Sequence, residues 1–139
     1  MAVFSETFTI PTQAGTDVRD ITDKVGRAVA SSGIADGIAL VFVPGSTGAV
    51  SAIEYESGAI GDLIRAIDRA APEDMHYAHD AKWHDGNGHS HVRSALIGPS
   101  FSAPVIDGNL ALGTWQQIVL LDFDVRPRQR KVIVQVVGE

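Results

Sequence analysis

The chain has 139 residues, 45% hydrophobic and 20% charged, with 11 Lys and Arg against 17 Asp and Glu for a formal charge of −6, and it has no Cys. A chain of this length buries roughly 68–70% of its unfolded surface, so one domain over residues 1–139 is expected without staples. Disulfides, thiolate metal sites and thiol nucleophiles are excluded, and the acidic balance speaks against a nucleic-acid groove, which needs clustered cations.

Met1 to Glu6 shows no basic stretch before an apolar run, and no run nears the roughly 20 apolar residues of a membrane span, so a cytoplasmic protein is expected. Phe4, Glu6, Phe8 and Ile10 alternate with Ser and Thr, which predicts a strand over Val3 to Ile10. Pro11 to Gly15 reads as a turn. Thr22 is the expected N-cap of a helix whose apolar face is Val25, Ala28 and Val29 and whose C′ residue is Gly33. The run Ile38 to Val43 reads as a strand buried on both faces, closed by Pro44-Gly45. Ser46 to Tyr55 favours a strand. Ile60, Leu63, Ile64 and Ile67 fall at i, i+3, i+4, i+7 and predict a second helix, capped by Ser57 and ended by Pro72.

Between Pro72 and Asn87 periodicity is weak. It returns in Val92 to Ile97, Ala103 to Ile106 and Leu110 to Leu112, the last two joined by the turn Asp107-Gly108-Asn109. Gln117 to Phe123 and Lys131 to Val137 complete the apolar stretches. Strands grouped after the second of two main helices predict an α+β domain rather than a doubly wound sheet. The irregular stretch is longer than most connections in compact domains, which marks it as a candidate functional loop.

All five histidines, His76, His79, His84, His89 and His91, lie in that window. On a strand beginning near His89, residues 89 and 91 share a face. Two imidazoles there, with His79 or His84 folded back, would supply the three nitrogens of an open catalytic metal site. The expected metal set is thus His79, His84, His89 and His91, holding a divalent ion with zinc among the candidates. Asp80, Asp85 or Glu54 could orient the rings. A metal-free cluster for acid/base work or anion binding is the other reading.

Asn87 sits between Gly86 and Gly88, where the chain can turn sharply. On a continuing strand Arg93 would share the His91 face and could meet a phosphate; a surface salt bridge is its alternative role. Ser46 and Thr47, among small residues at a strand end, could form an anion-binding nest or a simple turn. Glu54 stands between Ile53 and Tyr55, where a carboxylate calls for a partner. Trp115 could enter the core, and Gln116 could make a polar contact at the sheet's end. The basic run Arg126 to Lys131 could touch an anionic ligand but reads more simply as solvated loop.

With these residues in view, the chain resembles the YjbQ-like family, also called the secondary thiamine-phosphate synthase family. The segments that carry the likeness are Val41-Phe-Val-Pro-Gly-Ser-Thr-Gly48, Ile53-Glu54, Trp83-His-Asp-Gly-Asn-Gly-His-Ser-His-Val-Arg93, Ser94-Ala-Leu-Ile-Gly98, Leu112-Gly-Thr-Trp-Gln-Gln117 and the closing Val134 to Glu139. The resemblance implies a compact α+β fold with a mixed, curved sheet, a homotrimer with pockets near subunit boundaries, and a small phosphorylated metabolite as partner. It further implies a weak thiamine-phosphate synthase activity, joining hydroxymethylpyrimidine diphosphate to thiazole phosphate. Glu54, His79, His91, Arg93 and Gln116 match family positions, which makes Glu54, Arg93 and Gln116 the expected catalytic set. Ser46, Thr47, Asn87 and Trp115 are expected to bind substrate. A family His falls at Gly45 and a family Asn at Ile53, while His84 and His89 are extra. A metal-dependent hydrolase of a phosphorylated or amide metabolite and a non-catalytic ligand-binding trimer are the competing readings.

Overall fold

The alternation of apolar and polar residues at the start becomes strand β1 (Ala2–Thr12), in a computed structural model that describes all residues from Met1 to Glu139. It is followed by β2 (Asp17–Asp20), α1 (Thr22–Ser32), β3 (Gly37–Phe42), β4 (Gly48–Ile53) and α2 (Ser57–Ala70). The order continues with α3 (Ala78–Trp83), α4 (Gly88–Ile97), β5 (Ser100–Ile106), β6 (Asn109–Leu110), β7 (Gln117–Asp122) and β8 (Arg128–Gly138). The α+β class stands, with two short helices added to the two main ones. Every strand pairing is antiparallel, in a five-stranded sheet ordered β1-β8-β3-β5-β6 and a three-stranded sheet ordered β2-β7-β4, so the expected mixed sheet is corrected.

The strand buried on both faces is β7. Ile118 and Leu120 join the larger core with Val25, Ala28 and Val29 of α1 and with Ala39, Val41, Val132, Val134 and Val136. Val119 and Leu121 point the other way, into a second core with Val18, Ala49, Ile67 and Phe123, against which Ile60, Leu63 and Ile64 of α2 pack. Each such buried aliphatic side chain stabilises by about 1.5–3 kcal/mol, so β7 welds the two layers. The expectation for Ile38 to Val43 is corrected: β3 alternates, with Ala39 and Val41 inside and Ile38 60% exposed.

Neither expected hydroxyl caps its helix: Ile21 holds the N-cap of α1 with no side-chain cap bond, and Glu56 caps α2. Asp20 accepts from the backbone N–H and hydroxyl of Thr22, whose own oxygen accepts from the Ile118 N–H. At α2 the carboxylate of Glu56, not Ser57, accepts from the N–H groups of Ala59 and Gly58, which holds its pKa below the usual carboxylate value. Gly33 closes α1 in the left-handed region, and Asp107-Gly108 form the hairpin turn, as the sequence predicts.

The largest correction lies at residues 88–97, which form a helix where period-2 pairing was expected. Its buried face is Gly88, His89, Ser90, Arg93 and Ser94. That spacing is helical, but its members are polar, so a search for apolar periodicity passes over it. The side chains are satisfied across the interface: the Ser94 hydroxyl donates to the Gly48 carbonyl at 2.5 Å, and the Ser90 hydroxyl donates to the Phe123 carbonyl. These bonds seat α4 against the three-stranded sheet.

Candidate functional site

A helix turns about 200° in two residues, so His89 and His91 leave α4 on opposite sides. His91 turns toward the loop before β4, where its Nδ1 donates to the Ser46 carbonyl at 3.0 Å. A neutral ring that donates through Nδ1 presents a free lone pair at Nε2. His79, at the second position of α3, lies edge to face with His91, the ring centroids 4.5 Å apart. Its Nε2 stands 3.3 Å from Oδ1 of Asp85, both groups partly open to solvent.

Asn87 completes the group. With its amide nitrogen turned toward Asp85, as the surrounding acceptors require, it lies 2.9 Å from Oδ1 and 3.0 Å from His79 Nε2. An unprotonated Nε2 accepts from the Asn87 amide, and a protonated one donates to Asp85. The trio therefore orients the His79 ring in either tautomer.

The tight seam between α3 and α4 holds this geometry. The Gly88 N–H donates to Asp80 Oδ1 at 2.8 Å, and a Cβ on Gly88 would stand 2.6 Å from the Tyr77 Cβ. Only glycine permits that approach.

The four expected metal ligands do not gather on one point. His84 ends α3 in the left-handed region and is exposed, and His76 is exposed as well. His89 is 4% exposed, 6.3 Å from the Tyr77 ring, with no partner for Nδ1. Burial, then the nearby Arg93 charge, push its pKa below the usual value, so it is neutral at pH 7. No three His, Asp or Glu side chains are arranged to hold a metal ion. Within one chain the paired imidazoles are His79 and His91 alone.

Arg93 follows His89 by one helical turn and is also inside, which corrects its expected place beside His91. Nε donates to the Ala71 carbonyl, Nη1 to the Thr16 hydroxyl, and Nη2 pairs with Asp68 at 3.0 Å. Thr47 is buried, its hydroxyl accepting from Arg130 and donating to Asp124, so only the exposed Ser46 of the expected nest faces solvent. Trp115 is 72% exposed, not core.

Glu54 and Gln116 are exposed too, gathered with Trp115 at the far end of the three-stranded sheet, where Ile53 pairs with Gln117. The six residues of β4 separate that end from Ser46, roughly 20 Å at about 3.3 Å per residue. A single chain thus carries two groups of expected site residues, one at each end of β4. The sequence marks Asp85 only as one of three carboxylates able to orient a ring. Its Asp-Gly-Asn-Gly spacing from Asn87 is the signal that places both beside His79.

Residues 6–139 match the model of the family described as UPF0047 protein YjbQ-like. A UPF0047 protein of Archaeoglobus fulgidus is 40% identical over 127 residues, covering 91% of this chain and 96% of that one. One from Methanothermobacter thermautotrophicus is 37% identical over 139 residues, covering 100% and 95%. The crystal structure of a YbjQ-like protein of unknown function from Sulfolobus solfataricus superposes with a TM-score of 0.94 at 33% identity, covering 99% of each chain. A hypothetical protein from Aeropyrum pernix gives 0.90 at 33% identity, over 97% of this chain and 98% of that one. On the match across nearly its whole length, the chain belongs to the YjbQ-like UPF0047 family.

Proposed function

We propose that the chain is an enzyme acting on a small phosphorylated metabolite, with His79 and His91 as its acid/base pair and thiamine-phosphate synthesis as its reaction. The observation that carries this reading is the fixing of both rings from behind: Ser46 orients His91, and Asp85 with Asn87 orients His79. Rings tied on one nitrogen and free on the other are prepared for proton transfer or for a hydrogen bond to a developing oxyanion. In the proposed reaction the methylene–oxygen bond of the pyrimidine diphosphate breaks and pyrophosphate leaves with the electron pair. The thiazole nitrogen lone pair then closes the new carbon–nitrogen bond. A protonated imidazole at the leaving oxygens and close placement of the two partners are what such a reaction needs.

The resemblance assigns roles to Glu54 and Gln116 as well, and these lie at the other end of β4. A homotrimer that sets this end of one subunit against the histidine pair of the next would unite them. A divalent ion such as zinc would find two imidazoles in His79 and His91 and would need donors from beyond the chain. No step is therefore derived through an ion.

Purified protein given hydroxymethylpyrimidine diphosphate and thiazole phosphate is expected to form thiamine phosphate above a no-enzyme control. His91→Ala and His79→Ala are each expected to lower kcat by about 100-fold, the lower end for loss of one acid/base group. No product from folded, unmodified protein, with and without added zinc or magnesium, rejects the reaction.

A further inference from the structure

The segment Arg126 to Lys131, read from sequence chiefly as solvated loop, turns into β8 and walls a concave site. The cavity measures about 430 Å³ and is lined by Pro44, Gly45 and all six residues from Arg126 to Lys131. Four of the 11 Lys and Arg residues of an acidic molecule line it, and no Asp or Glu does. Arg130 is 4% exposed and anchored at its back: Nε and Nη2 donate to the two oxygens of Asp122 at 2.7 and 2.8 Å, and Nη2 also donates to Thr47 at 2.6 Å. Its remaining nitrogen, Nη1, has no partner in the chain.

Gly45 keeps that nitrogen uncovered. Its φ of 130° suits glycine, and a Cβ there would stand 3.1 Å from Nη1. Arg128 pairs loosely with Asp124 at 3.4 Å, while Arg126 and Lys131 have no acidic partner. A buried, oriented guanidinium at the floor and unpaired cations at the rim are the arrangement that receives a multiply charged oxyanion. The next residue along the chain, Ser46, is the one whose carbonyl holds His91. The loop from Pro44 to Thr47 is thus a shared wall between this cavity and the histidine pair.

We infer that the cavity at Gly45 and Arg126–Lys131 is a binding subsite for a diphosphate or similarly charged phosphate group, delivered beside His91. Its identification as part of the substrate rests on the function proposed above; the anion site itself does not.

The test is calorimetry with inorganic pyrophosphate on the intact protein, the Arg126→Gln/Lys131→Gln double variant and His91→Ala. Both replaced cations are exposed, and matching circular dichroism and melting of the double variant confirm its fold. The expected result is saturable binding by the unmodified protein that weakens from 20 to 200 mM salt, falls at least tenfold in the double variant and persists in His91→Ala. Absence of pyrophosphate binding by the unmodified protein, or equal affinity in the double variant, overturns the subsite. Binding with this pattern but no thiamine phosphate formed leaves the subsite standing and rejects only the reaction.

Discussion

His89 shows how one side chain's surroundings set a property of the whole protein. It is buried on the inner face of α4 with no partner for Nδ1, near Arg93, Glu73, Asp80 and Asp124. Burial and Arg93 outweigh the attraction of the three carboxylates, so the folded pKa lies below the unfolded value of about 6.5. A depressed folded pKa means that the unfolded chain takes up the proton more readily. The stability contributed is complete above about pH 6.5 and is lost as pH falls through the folded value. Asp122 behaves alike in a lower window. Burial raises its pKa, but the bonds from Arg130, Thr12 and the Asp124 N–H outweigh that and leave it below the usual carboxylate range. Urea unfolding at pH 7.5 and 5.5 is therefore expected to show unmodified protein losing more stability than His89→Leu, which has no proton to take up. An equal loss in both proteins would refute this account of His89.

At the scale of elements, the site depends on how closely α3 meets α4. Gly88 stands at the seam, and a methyl group there meets the Tyr77 side chain at less than contact distance. Gly88→Ala is expected to destabilise by about 1–3 kcal/mol, the usual cost of overpacking, measured by urea titration. The His79 and His91 imidazole NMR signals should shift with it. Unchanged stability and signals would show that the seam does not position the rings. This seam was also the least legible part of the sequence. The strands could be read because one face of each is apolar, and α2 because Ile60, Leu63, Ile64 and Ile67 repeat at helical spacing. β2 could not, since Asp-Val-Arg-Asp carries one apolar residue. α4 hid its periodicity in His89, Ser90, Arg93 and Ser94. The histidine window lies across α3 and α4, so its i, i+2 pair takes the helical period rather than the strand period. Strand geometry puts residues 89 and 91 on one face, whereas the helix sends one to the core and the other to Ser46.

The whole molecule leaves one surface of the five-stranded sheet uncovered. Val3, Val137, Ile38 and Pro104 are in register across β1, β8, β3 and β5, forming an apolar row that faces outward. Val3 is 64%, Ile38 60% and Val137 38% exposed. One such residue is ordinary, but a continuous row across four strands is what an association surface looks like. Under the proposed function, a trimer would also bring Glu54 and Gln116 of one copy to the histidine pair of another. Sedimentation equilibrium is expected to give three times the 14.7 kDa chain mass. Ile38→Asp points outward and leaves the core intact, yet buries an unpaired carboxylate in any interface formed on this row. It is expected to shift the mass toward that of one chain, and Val3→Asp at the sheet edge to do so more weakly. If the trimer completes the site, Ile38→Asp also loses thiamine-phosphate formation while every residue of the histidine pair is still in place. A single-chain mass for the unmodified protein would remove the link between the two ends of β4, and a trimer indifferent to both substitutions would move the interface elsewhere.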